Sequence, residues 1–269
     1  MLEQIHDLHY VVGEIGKHID RERIMVVGAR CRDIHQLNYR DHLPGRTTKD
    51  IDIALAIDTW EDFERLKAVF PSKVTAWQAI SIGGVSIDLI PFGDLEKPPG
   101  EIVGSSGFSL NVEGFREVFA QAEFHQFLDG TEIKVASVPG FAVLKMHAWC
   151  DRWPQGVYKD AADSALVIAW YGERESLWGN YSRRTAERHL GDEDCMAAEL
   201  LGVDAGELLG GAKAEVLFCR FSEDVVRERL AEELLAPGEQ RYPVLRRREQ
   251  VDALLEGLWY PQGGPDLRA

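Results

Sequence analysis

The stretch that decides the fold is "RTTKDIDIAL", Arg46 to Leu55, in which two aspartates alternate with two isoleucines. A strand with a period of two places Asp50 and Asp52 on one face and Ile51 and Ile53 on the other. Two like charges at this spacing repel each other, so a plain surface strand has little use for them. The pair therefore raises the question of a bound cation.

A third carboxylate follows in "VSIDLIPF" (85–92), where Asp88 lies between Ile87 and Leu89. An ionised aspartate in an apolar strand is costly unless it is paired or binds a cation. Three carboxylates on neighbouring strands can hold two Mg²⁺ ions, with Mn²⁺ as an alternative. Asp50, Asp52 and Asp88 are thus predicted metal ligands and catalytic residues, and Asp88 has a second predicted role as the base that accepts a hydroxyl proton. The competing interpretations are a solvated face or turn cap for the first two and a hydrogen-bonded buried aspartate for the third.

Composition limits the class of protein. The chain has 269 residues, 45% of them hydrophobic, which is enough for a core in one or two domains. A formal net charge of −15 argues against nucleic acid bound over the whole surface, so any nucleic-acid contact must use local basic patches or metal ions. No apolar stretch is long enough to span a membrane, and the N-terminus lacks a secretory pattern, so we expect a cytoplasmic protein without membrane contact. Its cysteines match no zinc spacing and are predicted to be free thiols.

The order of elements predicts two domains. Helical spacing runs from Leu2 to Ile19, "RIMVVGA" (23–29) reads as a strand ending in a turn at Gly28, and a helix follows it. The strand "DIDIALAI" precedes a helix capped by Thr59, and two further strands, "KVTAWQAI" (73–80) and "VSIDLIPF", meet at a glycine hairpin. Near Pro139 the pattern becomes almost entirely helical. The sequence therefore predicts an α+β protein, with a mixed sheet flanked by helices in 1–137, a helical domain in 138–269 and a ligand cleft between them.

The order of strand, glycine turn, helix, Asp-x-Asp strand and third acidic residue resembles the DNA polymerase β-like nucleotidyltransferases. A longer set of motifs between about residues 20 and 175 is similar to the AbiEii/AbiGii toxin family of that superfamily. These motifs are "VVGARCRD" (26–33), "GRTTKDIDIALAIDTWEDFERLKAVF" (45–70), "VSIDLIPFG" (85–93), "GFREVF" (114–119), "VASVPGFAVLKMHAWCDR" (135–152) and "KDAADSALVIAWY" (159–171).

This resemblance implies a polymerase β-like nucleotidyltransferase core in 1–137 and Mg²⁺-dependent transfer of a nucleotide from an NTP to an acceptor hydroxyl. Some members of the family act on the 3′ end of tRNA, and such toxins are paired with an antitoxin protein. In the family the glycine turn cradles the nucleotide phosphates, which implies a nucleotide-binding role for Gly28, Ala29 and Arg30. The family usually has a serine or second glycine where this chain has Ala29, so backbone N–H groups alone would form the cradle here.

The resemblance also points to residues beyond the core. Lys145, Asp160 and Asp163 stand where the family has a lysine and a later acidic pair, which implies that Lys145 and Asp163 are catalytic and that Lys145 and Asp160 bind nucleotide. Lys145 has a second interpretation, in which it extends from the apolar row of its helix to solvent. For Asp160 the helix dipole alone is an explanation. Asp163 is expected to face inward with Lys145 as its partner.

Several basic and polar residues keep two interpretations. Of Arg30 and Arg32, one is expected to reach a phosphate and the other to be structural. Thr48 is predicted to contact the nucleotide, or else to set the entry of the strand. Two arginine clusters are solvated helix faces or an RNA-binding surface: Arg183, Arg184 and Arg188 form the first, and Arg246, Arg247 and Arg248 the second.

Three functional hypotheses follow. The first is transfer of a nucleotide to an RNA or tRNA 3′ end, in the manner of a toxin. The second keeps the chemistry but uses a small hydroxylated acceptor, as in the aminoglycoside-modifying enzymes, and the acidic balance favours a cationic acceptor. The third is an inactive nucleotide-binding module.

Overall fold

The computed structural model describes residues 2–39, 50–105, 107–173, 183–235 and 243–259. The alternating pattern that opens the sequence forms the strand β2, Asp50–Ala56. Ile51 and Ile53 are fully buried, whereas Asp50 is exposed and Asp52 is half-buried. One face of β2 therefore packs into the core, and its first half presents the aspartates on the other face.

The other strands of the described chain are β1 (Ile24–Val26), β3 (Ala79–Ile82), β4 (Val85–Phe92), β7 (Glu123–Gln126) and β8 (Glu132–Val135), while β5 (Glu101–Val103) and β6 (Ser109–Asn111) form a separate two-stranded sheet. Strand β2 lies inside a six-stranded sheet of order β3-β4-β2-β1-β8-β7. The strand pairs β2–β4 and β1–β8 are parallel, and the pairs β1–β2, β3–β4 and β7–β8 are antiparallel, so the sheet is mixed.

The first part of the chain contains helices as well as the sheet. They are α1 (Leu2–Ile15), α2 (Gly28–Tyr39), α3 (Trp60–Val69) and α4 (Phe115–Ala120). The inward faces of α1 and α3 bury the apolar residues that recur at helical spacing, among them Val12, Phe63 and Leu66. Together the strands and these helices make up the first of two compact units, Met1–Ser137.

The second unit, Val138–Ala269, is helical throughout its described residues. Its helices are α5 (Val138–Arg152), α6 (Lys159–Gly172), α7 (Arg183–Arg188), α8 (Glu193–Leu209), α9 (Gly211–Cys219), α10 (Asp224–Glu233) and α11 (Val244–Trp259). Helices α8 and α11 cross at two glycines, because a Cβ on Gly202 would lie 2.1 Å from the carbonyl oxygen of Leu254 and one on Gly257 would lie 2.0 Å from that of Glu199. The two backbones are therefore in direct contact.

The predicted fold class is confirmed: a mixed sheet flanked by helices is followed by a helical C-terminal part. The hairpin at Gly83–Gly84 is also present, with both glycines at positive φ. The strand predicted for 73–80 was too long, because the sheet pairing of β3 begins only at Ala79. Within the described ranges, no helix is both long and apolar enough to cross a lipid bilayer.

Candidate active site

The three predicted carboxylates meet on one face of the sheet. In the parallel pair β2–β4, Asp52 lies directly beside Asp88, and Asp50 lies beside Ser86. Paired residues on neighbouring strands are about 5 Å apart and point to the same face. The strand pairing therefore makes neighbours of Asp52 and Asp88, which are 36 positions apart in the sequence, and places Asp50 on the same face of the sheet.

The surroundings of Asp88 differ from those expected. The sequence suggested an aspartate buried in an apolar strand, but burial alternates along β4. Ile87 and Leu89 are fully buried on one face, whereas Ser86 and Asp88 are half-buried on the other. The strand is therefore apolar mainly on its core side, and Asp88 lies on its half-buried, more polar side.

A glycine turn lies against these carboxylates. Gly28 has a φ of +61° and begins α2 immediately after β1. A Cβ at Gly28 would lie 2.0 Å from Oδ2 of Asp52 and 2.8 Å from its Cβ, so a larger residue does not fit. The backbone N–H of Val27 donates to the carbonyl oxygen of Asp52 at 3.2 Å, which fixes the turn to the strand. The start of α2 and Asp52 are thus held in contact.

This contact sets the electrostatics of the site. The first N–H groups of a helix have no partner within the helix, and the helix dipole places partial positive charge there. That end favours an anion, either the Asp52 carboxylate itself or a phosphate group bound beside it. Ala29, the second residue of α2, is buried and adds no polar group.

The two arginines of α2 have different environments. Arg32 is fully buried, and its Nη2 lies 2.8 Å from Oδ1 of Asp33, which makes Arg32 the structural member of the pair. Arg30 is also buried, with its Nη1 at 3.7 Å from Oδ2 of Asp33, and its Nε has no hydrogen-bond partner among the described residues. The predicted phosphate contact of Arg30 stays a prediction. Thr48, for which a nucleotide contact was predicted, lies outside the described residues, as do Arg46, Thr47 and Lys49.

Lys145 lies in the second unit, within a buried ion-pair network. Its Nζ is 2.6 Å from Oδ2 of Asp163 and 3.1 Å from Oδ1 of Asp160, and Nη1 of Arg152 is 3.0 Å from Oδ2 of Asp160. The expected pairing of Asp163 with Lys145 is therefore present. The alternative in which Lys145 extends to solvent was wrong, because its side chain is buried against Phe141 and these carboxylates.

Charges within this network stabilise one another. Burial disfavours the ammonium of Lys145, but attraction to Asp163 and Asp160 outweighs it and raises the pKa of Lys145. Burial likewise opposes the charge of Asp160, and the two cations overcome it and lower the pKa of Asp160. Asp160 is therefore held by side-chain cations as well as by its place in the first turn of α6. A contact between a nucleotide and Lys145, Asp160 or Asp163 stays a prediction.

A metal ion fits the carboxylate face only if a bound nucleotide supplies further oxygen ligands. Carboxylate oxygens are the donors that Mg²⁺ prefers. Among the residues that the structure describes, however, no three acidic, histidine or cysteine side chains form a group that could hold a metal. Mg²⁺ is commonly bound through one or two carboxylates, several waters and the phosphates of the substrate. The adjacent pair of Asp52 and Asp88 meets that requirement once a nucleotide supplies the other oxygens.

Two serines on the same face were missed by the sequence reasoning. Ser86 lies beside Asp50 on one side and beside Ser81 of β3 on the other. The spacing of Ser86 and Asp88, two positions apart in a strand, was the available signal.

The arginine clusters do not form a free basic surface in the described structure. Arg188 pairs with the buried Glu199, Arg246 is 2.8 Å from Asp194, and Arg248 is 3.0 Å from Asp252. Arg247 is buried and donates to the carbonyl oxygen of Glu232. The side chains of Arg183 and Arg184 lie outside the described structure. Among the described arginines, Arg188, Arg246 and Arg248 are therefore paired with carboxylates, and Arg247 is held by a backbone carbonyl.

Comparison with known proteins gives little. No family model matches the chain, and no curated protein matches it. Among solved structures, it has a weak similarity to the Thermotoga maritima CCA-adding enzyme complexed with tRNA, with 14% identity, 93% of this chain and 70% of that chain covered, and a TM-score of 0.22. The same values apply to a complex of CCA-adding enzyme with CTP. At this TM-score the overlap is too weak to carry an argument about function.

Proposed function

We propose that this chain is a nucleotidyltransferase that moves a nucleotide from an NTP to an acceptor hydroxyl. The observation that carries the proposal is a single arrangement: Asp52 lies beside Asp88 in the sheet and against the Gly28 turn at the start of α2. This arrangement supports the proposal because phosphates bound at the start of α2 would lie next to oxygens able to hold a cation. Transfer of a nucleotidyl group needs both, because its catalysis is mostly positioning and neutralisation of charge.

In the proposed reaction the acceptor oxygen forms a bond to the α-phosphorus, and the bond between the α-phosphorus and the bridging oxygen of pyrophosphate breaks. Asp88 accepts the proton of the acceptor hydroxyl. The N–H groups at Gly28, Ala29 and Arg30 bind the triphosphate, and Asp52 lies directly beside them. Asp50, Asp52 and Asp88, together with phosphate oxygens of the nucleotide, would hold two Mg²⁺ ions, or Mn²⁺ in their place, which would supply neutralisation of the phosphate charge and a more acidic acceptor hydroxyl.

Lys145, Asp160 and Asp163 enter the proposal in a restricted form. An ammonium that contacts a triphosphate must exchange a carboxylate partner for a phosphate, and Lys145 has two such partners in the second unit. We propose that Lys145 takes part as a cation. In this proposal Asp163 holds its ammonium group in position, and Asp160 and Arg152 complete the ion-pair network around it.

The proposed acceptor is an RNA 3′ end, specifically that of a tRNA, and the proposed role is that of a toxin with a cognate antitoxin. Its support is the resemblance of the motifs between about residues 20 and 175 to the AbiEii/AbiGii family. A small hydroxylated cation is the second candidate acceptor. The internal pairing of Arg188, Arg246 and Arg248 favours it, because these side chains do not offer RNA a free basic surface in a chain with a net charge of −15.

The test is label transfer with purified protein, Mg²⁺ and each α-labelled NTP in turn, offered either bulk tRNA or a panel of aminoglycosides. Label in an acceptor that disappears with Asp52→Asn supports the proposal, and the acceptor that carries it decides between the two candidates. Asp7→Asn, a substitution on α1, is the matched control and should leave transfer unchanged. Nucleotide binding without transfer to any acceptor would favour an inactive module.

A further inference from the structure

Two serines extend the carboxylate face toward the end of the sheet. Ser81, Ser86 and Asp50 form one row across β3, β4 and β2, because Ser86 is in register with both of the others. The neighbouring row contains Asp88 and Asp52. Adjacent strands are about 4.8 Å apart, so the row from Ser81 to Asp50 spans about 10 Å on the face that bears the carboxylates.

Among the described residues, which do not include 40–49, two other directions along the sheet away from the carboxylates are closed. On the β1 side the Gly28 turn occupies the space next to Asp52. Further along β2, Ala54 is fully buried, and in β3 the neighbour of Asp88 is the buried Ala79. Ser81 and Ser86 are half-buried and Asp50 is exposed. The polar surface that adjoins the site therefore continues from Asp50 and Asp88 toward the two serines.

Hydrogen bonds and strand pairing fix the position of the part of the sheet that bears the two serines. The backbone N–H of Ser81 donates to the carbonyl oxygen of Phe70 at 3.3 Å, and that of Ala79 donates to Ala76 at 3.1 Å. The glycine hairpin at Gly83–Gly84 joins β3 to β4 within the same ladder. The hydroxyls are thus carried by paired strands, which hold a substrate more reproducibly than a loop does.

A serine hydroxyl has a chemistry that suits one kind of substrate. It both donates and accepts a hydrogen bond and carries no charge, so it neither competes with the carboxylates for a cation nor repels an anion. A sugar ring with neighbouring hydroxyls is a ligand whose groups match a row of such side chains about 5 Å apart. A second carboxylate row in the same place would instead add negative charge beside Asp50 and Asp88.

Building on the proposed nucleotidyl transfer, we infer that Ser86 and Ser81 bind the acceptor, and that the acceptor presents a sugar with neighbouring hydroxyls. The nucleotide then lies on the Gly28 side of the carboxylates and the acceptor sugar on the Ser86 side, with its attacking hydroxyl next to Asp88. Both the 3′-terminal ribose of an RNA and the rings of an aminoglycoside have this chemistry.

The test measures initial rates of label transfer at varied acceptor and varied NTP concentrations, in one arm with tRNA and in the other with aminoglycosides. Ser86→Ala should raise the KM for the acceptor about tenfold and leave the KM for the NTP within about twofold, since one substrate hydrogen bond is lost. Ser81→Ala, one strand further out, should raise the acceptor KM about threefold. Ser86→Thr keeps the hydroxyl and suits a strand, so it should restore most of the affinity.

Ser109→Ala, in the separate sheet of β5 and β6, is the control and should change neither KM. An active wild type whose acceptor KM is unchanged by Ser86→Ala would overturn this inference alone, as would an increase confined to the KM for the NTP. A wild type that transfers label in neither arm would overturn the proposed function and this inference with it. The arm that carries label identifies the source of the sugar.

Discussion

Replacement of Gly28 by alanine should inactivate the protein while leaving it folded. Two effects combine at this residue. Its φ of +61° lies in the left-handed region, where an L-residue costs about 1–2 kcal/mol. In addition, the new Cβ would lie 2.0 Å from Oδ2 of Asp52 and 2.8 Å from Cβ of the same residue. Rotation of the Asp52 side chain relieves the first contact but not the second, so the strand or the turn must move.

The size of that movement follows from the contacts. Ordinary van der Waals contact begins at 3.4 Å, so Oδ2 of Asp52 must shift by about 1.4 Å. A misplacement of about 1 Å in a reacting group costs on the order of 100-fold in rate. Overpacking of this kind costs about 1–3 kcal/mol of stability in addition to the backbone penalty. We therefore expect at least a 100-fold loss of nucleotide transfer together with a moderate loss of stability.

The assay compares label transfer with the free energy of unfolding in urea for two variants. Gly130→Ala is the matched control, because Gly130 has a φ of +83° but a Cβ there meets nothing within 4 Å. It should lose only the backbone contribution of about 1–2 kcal/mol and keep its activity. Equal stabilities and equal activities for the two variants would refute the claim that the turn and Asp52 are held in contact.

Three further predictions concern the second unit. Burial and the neighbouring Arg220 lower the pKa of His147 from 6.5 to about 4. As the pH falls from 6.5 to about 4, this histidine is therefore protonated in the unfolded chain but stays neutral in the folded chain. The free energy of unfolding should then drop by about 3 kcal/mol, and urea titrations of His147→Gln should lack that drop; an equal drop in the variant would contradict the assignment. Thiol titration of the native protein should find one fast-reacting group, Cys219, since it alone among the free cysteines is exposed; a fast thiol that survives Cys219→Ser would be inconsistent with this burial. Gly202→Ala should destabilise the protein by about 3 kcal/mol in thermal or urea unfolding, because its Cβ would meet the α11 backbone at 2.1 Å; Gly13→Ala, a helical glycine with open space around it, should cost nothing, and similar losses in both would count against backbone contact of the helices.

The carboxylate strands were predictable because their signal is local. The alternation with a period of two can be read directly from "DIDIALAI" and "VSIDLIPF", and both strands form where it occurs. The neighbour relation of Asp52 and Asp88 has a different origin. It depends on parallel pairing of β2 with β4, a contact between distant segments that local patterns do not specify. For the same reason the sequence alone does not place Ser81 and Ser86 beside the carboxylates.

Tertiary contacts overrode local preference in "KVTAWQAI". Val74, Thr75 and Trp77 favour a strand, yet Trp77 is used for packing, with its ring 5.5 Å from that of Phe63 and against the α-carbon of Gly104. Strand pairing is delayed to Ala79 as a result.

Charge pairing was predictable at short range and not at long range. Helical spacing turned Asp163 inward toward Lys145, and that pair is present at 2.6 Å. Arg246 pairs with Asp192 and Asp194, which are 54 and 52 positions away, and no pattern near "LRRREQ" predicts these partners. Neither interpretation of the arginine runs, a solvated helix face or an RNA-binding surface, anticipated these ion pairs.

The proposed function requires that the face formed by Asp52 and Asp88 binds a divalent cation together with a nucleotide. Its most direct test is Mn²⁺ binding by electron paramagnetic resonance, with and without NTP analogues that cannot be cleaved between the α- and β-phosphates. Because the described carboxylates form no complete metal site by themselves, Mn²⁺ should bind weakly alone and at least tenfold more tightly with one of the analogues. Asp52→Asn and Asp88→Asn should each abolish that gain. A Mn²⁺ affinity that no analogue improves, or a gain that persists in both variants, would contradict the account.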